Sequence, residues 1–190
     1  LGTFLAIQNF KGRAIIIGVI NSLMSLPPVV VGLIVYINLS RSGPLGWMGI
    51  LYTPTAMIIA QVILILPIIS SLTAQVIEDL YESYNDLFLS LVTPKFQTII
   101  AYIIDARYSL VTVILAGLSK GISEVGAVII VGGNIDHLTR VMTTTITMET
   151  SKGDLSLALA IGIILLFMSI TINLLVTYKK YTYKDKYYGK

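Results

Sequence analysis

PTAMIIAQVILILPIISSLTAQVI, residues 54–77, runs its whole length without a charged side chain. A bilayer core about 30 Å thick is crossed by roughly 20 apolar residues in a helix, whereas an apolar strand in a soluble core usually ends after about 4–8 residues. The stretch therefore reads as a membrane-spanning helix, with Pro54 in its first turn and Pro67 placed to kink it. Composition agrees. Of 190 residues, 55% are hydrophobic and 12% charged, with a mean hydropathy of +0.86, where a soluble domain is about one-quarter charged.

Working outward, residues 1–8 read as the end of a first span that is truncated in this sequence, followed by the short basic loop QNFKGR. The segment 14–39 is apolar but too long for one straight crossing, and Pro27-Pro28 should break it. SRSGPLGWMGILYT, 40–53, is a turn-rich loop whose Trp47 and Tyr52 suit the membrane interface. Beyond 54–77 come a polar interval at 78–106, a fourth span at 107–132, a polar loop at 133–153 and a last span at 155–177. The spacing predicts an all-α polytopic helical bundle of about five spans. Residues 1–177 are expected to form a single transmembrane domain, and 178–190 a basic tail.

The basic residues set an orientation. With the tail in the cytoplasm, Lys11, Arg13, Lys95, Arg107, Lys179, Lys180, Lys184, Lys186 and Lys190 fall on that side. Only Arg41, Arg140 and Lys152 fall on the other. This is the positive-inside bias, so a cytoplasmic C-terminus is expected. The net charge of +3 then speaks for anionic lipid headgroups beside the tail, and not for nucleic acid.

Several chemistries are excluded. There is no cysteine and one histidine, His137, so neither disulfides nor a thiolate metal site is available. Gly121 and Gly126 have the glycine spacing of a phosphate loop, but Ala127 and Val128 stand where Lys and Ser/Thr are required. No nucleotide or metal cofactor is expected on this chain, and no catalytic residue.

Two stretches carry more information. In EDLYESYNDLFLSLVTPKFQTIIAYIIDARYS, 78–109, apolar residues recur at helical spacing on either side of Thr93-Pro94, with Thr93 as the expected N-cap. This predicts two short amphipathic helices at the membrane surface, either a plain connector or a docking element for a cytoplasmic partner. In GLSKGISEVG, 117–126, Gly117, Lys120, Gly121 and Glu124 share one stripe of a helix inside an apolar run. Charges within a span normally pair and face a bundle interior or an aqueous cavity. The stripe is thus either a pathway or gate position, or a structural pair locking two helices. A channel-like or proton-coupled carrier using Glu124, or a non-transporting membrane assembly protein, would also accommodate these residues.

SLPPVVVGL (25–33), SRSGPLG (40–46), TPTAMIIAQ (53–61) and ISEVGAVIIVGGNIDHLTRVMTTTITMETSKGDLSLALA (122–160) resemble the permease subunit of binding-protein-dependent ABC importers. The likeness is greatest to the tungstate permeases of the molybdate, tungstate and sulfate group. The resemblance implies a multi-pass protein of the prokaryotic cell (inner) membrane that moves an oxyanion inward as a homodimer. It implies an ATPase subunit that carries the ATP and magnesium, and an extracytoplasmic oxyanion-binding protein. The family's cytoplasmic EAA loop aligns here with Asp86, Leu87, Phe88 and Val92, keeping the acidic character but with Val92 in place of the glycine. The loop 134–154 lies where the binding protein would dock, with Arg140, Thr143, Thr144 and Thr145 as residues to guide an oxyanion, or as merely solvated polar groups.

Overall fold

The computed structural model describes residues 1–7, 10–90 and 94–188, and among them every regular element is helical. In chain order these are α1 (Gly2–Ile7), α2 (Arg13–Met24), α3 (Pro28–Leu39), a short 3-10 turn (Gly46–Met48), α4 (Pro54–Ser90), α5 (Lys95–Ile122), α6 (Gly126–Gly132), α7 (Met142–Lys152) and α8 (Leu155–Tyr188). Pro54–Tyr84, Phe96–Ile122 and Leu155–Lys180 are each long and apolar enough to cross a membrane, and α2 with α3 qualifies as a broken span. The chain is a polytopic, all-α membrane protein.

The prolines act where their chemistry predicts. Pro27 is extended (φ −62°, ψ 126°) and Pro28 opens α3, because a residue before proline is pushed out of the helical region. Pro67 lies inside α4 without ending it.

Two expectations are corrected. The two short surface helices expected over 78–106 are instead extensions of spans: α4 continues to Ser90, and α5 starts at Lys95, with Thr98 N–H donating to the Pro94 carbonyl. Tyr81 and Phe88 pack their rings against buried Tyr102, which joins one side of the α4 extension to α5. The fourth span is not continuous over 107–132, because α5 stops at Ile122 and α6 begins at Gly126. α8 continues from the last span to Tyr188; after Gly162 it meets neither glycine nor proline to stop it. Leu91, Val92 and Thr93 lie outside the described residues, and with them the last coupling position and the expected N-cap.

The residues group into two compact units. The first comprises Leu1–Met24, Leu66–Leu118 and Leu175–Lys190. Its core is Ala6, Ile77, Tyr102 and Ala106, flanked by Leu80, Tyr81 and Phe88. Arg13 stitches it: Nε donates to the Leu5 carbonyl at 2.7 Å, and the guanidinium pairs with Glu78 of α4. Lys180 Nζ donates to Thr112 Oγ1.

The second unit comprises Ser25–Ile65 and Ser119–Leu174. Val31, Val35, Ala60, Leu64, Val128 and Val131 fill its core. A Cβ on Gly32 would sit 2.8 Å from the Ala127 Cα, so only glycine permits the close approach of α3 and α6. Gly133 (φ +70°) ends α6 in the left-handed conformation. Tyr52 N–H donates to the Val131 carbonyl, and its ring meets Tyr36 edge-on.

Candidate functional site

The break between α5 and α6 gathers the charged stripe. Lys120 and Gly121 occupy the last turn of α5, Ser123 Oγ donates to the Lys120 carbonyl, and Glu124 N–H donates to the Gly121 carbonyl. A helix end leaves carbonyls short of intrahelical partners, and Gln61 of α4 adds a second donor to the Gly121 carbonyl, its amide lying at 3.4 Å. Ser119 Oγ approaches Asn173 Oδ1 of α8 at 3.4 Å.

Glu124 lies beyond the end of α5, so the expected single helical stripe stops at Gly121. The ion pair nevertheless forms, with Lys120 Nζ 3.8 Å from Glu124 Oε2. The partners are unequally placed: the Lys120 side chain is 39% exposed and that of Glu124 only 4%. Glu124 is held from three sides. Its Oε1 accepts from Ala127 N–H at 3.2 Å, its carbonyl accepts from Thr143 Oγ1 at 3.2 Å, and Lys120 faces its other carboxylate oxygen. An anion near the first turn of a helix also complements the backbone dipole. The carboxylate thus fixes the α5–α6 break, while the ammonium keeps an open side.

Residues Arg140, Thr143, Thr144 and Thr145 belong to the same unit. Arg140 pairs with Asp136 at 2.8 Å. Thr143 and Thr144 are buried, and each hydroxyl is already engaged. Thr143 donates to the Glu124 carbonyl, while Thr144 and Thr145 donate to the Val141 carbonyl. Thr143 therefore ties α7 to the break, while Thr144 and Thr145 secure the start of α7. His137 is a solvent-facing loop residue with a left-handed backbone (φ 57°).

Of the expected coupling positions, Asp86, Leu87 and Phe88 are described; they fall in the first unit and differ in exposure. Leu87 is 53% exposed and Asp86 is exposed beside it. Phe88 is half-buried and stacks edge-to-face on Tyr102, with ring centroids 5.3 Å apart. Tyr84, Phe96, Ile100 and Ile104 add further exposed apolar surface near the α4 and α5 ends, which the EAA alignment did not single out. Gln61 and the Thr143–Glu124 link were also missed. Gln61 had one sequence signal, as one of two amides, with Gln75, within an apolar span, while the link between Thr143 and Glu124 had none.

No model of a known protein family matches the chain. Individual proteins do. The tungstate uptake system permease protein TupB of Peptoclostridium acidaminophilum is 46% identical over 176 residues, covering 93% of this chain and 77% of the relative. A probable anion ABC transporter permease protein of Haloferax volcanii is 39% identical, covering 88% and 75%. The tungstate uptake system permease protein TupB of Campylobacter jejuni is 34% identical, covering 90% and 71%.

Proposed function

Because this chain belongs to the tungstate-uptake permease family of ABC transporters, we propose that it is the membrane subunit through which tungstate enters the cell. The observation that carries this reading is the 46% identity to a tungstate uptake permease over nearly the whole chain. A separate ATPase subunit binds ATP and magnesium and drives the cycle. This agrees with Ala127 and Val128 occupying the positions at which a phosphate loop needs Lys and Ser/Thr. An extracytoplasmic binding protein delivers the anion, two copies of the chain form the pathway, and the C-terminus lies in the cytoplasm with the basic loops.

In this reading the exposed Asp86 and Leu87, with Tyr84, dock the ATPase, and Phe88 holds that surface in shape from beneath. Lys120 offers the oxyanion a half-exposed cation at the α5–α6 break. Glu124 stays out of contact with the dianion, which a carboxylate would repel, and neutralises the lysine enough for the anion to leave. Binding strong enough to admit an ion but weak enough to release it is the general requirement for passage.

The test is uptake of labelled tungstate by proteoliposomes holding the permease, its ATPase and the binding protein. The expected result is ATP-dependent accumulation, with molybdate and sulfate as weaker competitors. Uptake that proceeds equally without ATP or without the ATPase would replace this reading with a carrier.

A further inference from the structure

The first unit contains a cavity of about 180 Å³ lined by Asn21, Ser70, Ser71, Gln75 and Glu78, with aliphatic side chains completing its wall. Ser70 and Ser71 are both 6% exposed and sit midway along the Pro54–Tyr84 span. Ser71 Oγ donates to Asn21 Oδ1 at 2.7 Å, which leaves the Asn21 NH2 group as the donor on that side chain. Glu78 is the one acidic side chain in the lining, and it is paired with Arg13.

Uncharged polar side chains in a span are costly to leave facing lipid, and they collect where a helix borders a cavity or a transported solute. Here two hydroxyls and two carboxamides share one small space within a single unit. Serine hydroxyls and Asn/Gln NH2 groups donate to oxygen, which suits an oxyanion whose whole surface accepts. Neutral donors also hold a dianion weakly, as passage requires.

We propose that this cavity is an oxyanion-binding subsite of the transport route, in which Asn21, Ser70 and Gln75 donate to the oxygens of the tetrahedral anion, while Ser71, through its hydrogen bond to Asn21 Oδ1, turns the Asn21 NH2 group toward it. The Arg13–Glu78 pair neutralises the one carboxylate in the wall that would repel it. The inference rests on the transport reading above and adds to it a location that the charged stripe does not include. A cation held by Asn21 Oδ1 and the serine oxygens is the rival occupant, and the salts used in the test separate the two.

The chain has no cysteine, so Ser71→Cys and Gln75→Cys each introduce a single thiol. Each variant, assembled with its ATPase in membrane vesicles, is treated with a small hydrophilic methanethiosulfonate reagent. The salts compared are sodium tungstate, sodium sulfate and sodium chloride at matched ionic strength. At a tungstate concentration about twice the dissociation constant, labelling should slow about threefold relative to chloride, with sulfate protecting to a degree set by its affinity. Gln75→Cys carries the test if Ser71→Cys does not assemble. Equal labelling in tungstate and chloride would overturn the subsite, and so would protection that follows sodium concentration regardless of anion. Tungstate uptake by the unmodified permease is measured in parallel. Intact uptake without protection removes the cavity alone, and absent uptake removes the transport reading and this inference with it.

Discussion

Arg13–Glu78 and Lys120–Glu124 are ion pairs whose cations both sit at a helix end, built in opposite ways. The first joins residues 65 apart and ties α2 to α4 while also holding the α1 carbonyls of Leu5 and Ala6, and both side chains are partly exposed. The second joins residues four apart, with one partner nearly buried and the other open. Thus the long-range pair organises tertiary structure, while the local pair marks a break in a span. In the second case the buried partner's hydrogen bonds do more than the pair itself, since 3.8 Å exceeds hydrogen-bond length.

The largest expected effect is at Arg13. Arg13→Ala removes two backbone contacts and a solvent-screened ion pair, a loss of about 2–3 kcal/mol. It should be read as a clear fall in the thermal unfolding midpoint in detergent, with Arg13→Lys recovering only part because an ammonium lacks the planar fork. An unchanged midpoint would show that the pair does not organise the first unit.

Next comes the asymmetry of the second pair. Lys120→Met strands a buried carboxylate and should cost about 1–2 kcal/mol, moderated by the hydrogen bond from Ala127. Glu124→Gln keeps an acceptor for that N–H and leaves only a half-exposed lysine unpaired, so its cost should stay under about 1 kcal/mol. A double-mutant cycle in thermal unfolding measures the coupling. Equal costs for the two single variants would erase the contrast drawn from their burial.

The smallest expected change in stability is at Leu87. Leu87→Asp alters an exposed side chain and should shift stability by less than about 0.5 kcal/mol, yet abolish co-purification with the ATPase. Phe88→Asp should instead lower the unfolding midpoint, because it places a charge against Tyr102. Retained ATPase binding in Leu87→Asp would move the docking surface elsewhere on the α4 and α5 ends.

Much of the fold was legible because membrane helices announce themselves locally. The uncharged run at 54–77 forms a span, Pro27-Pro28 separates two helices, and the last apolar stretch forms α8. Element ends were less legible. The halt at Ile122 comes with no proline, and the tail, rich in lysine and tyrosine, has no stop signal and stays helical to Tyr188. The interval at 78–106 has an amphipathic periodicity that suits a surface helix, but the pattern does not say which neighbour takes the apolar side.

By itself, then, the sequence determined the membrane setting, the proline break and the adjacency of Lys120 to Glu124, since hydropathy, backbone sterics and an i,i+4 spacing act over a few residues. Tertiary structure decided that Arg13 meets Glu78, that Thr143 spends its hydroxyl on Glu124, and that Ser71 and Asn21 share a cavity. Those partners lie 65, 19 and 50 positions apart. Hydrogen bonds and ion pairs depend on distances of a few ångströms, and no periodicity in a chain specifies such distances between helices that have yet to pack.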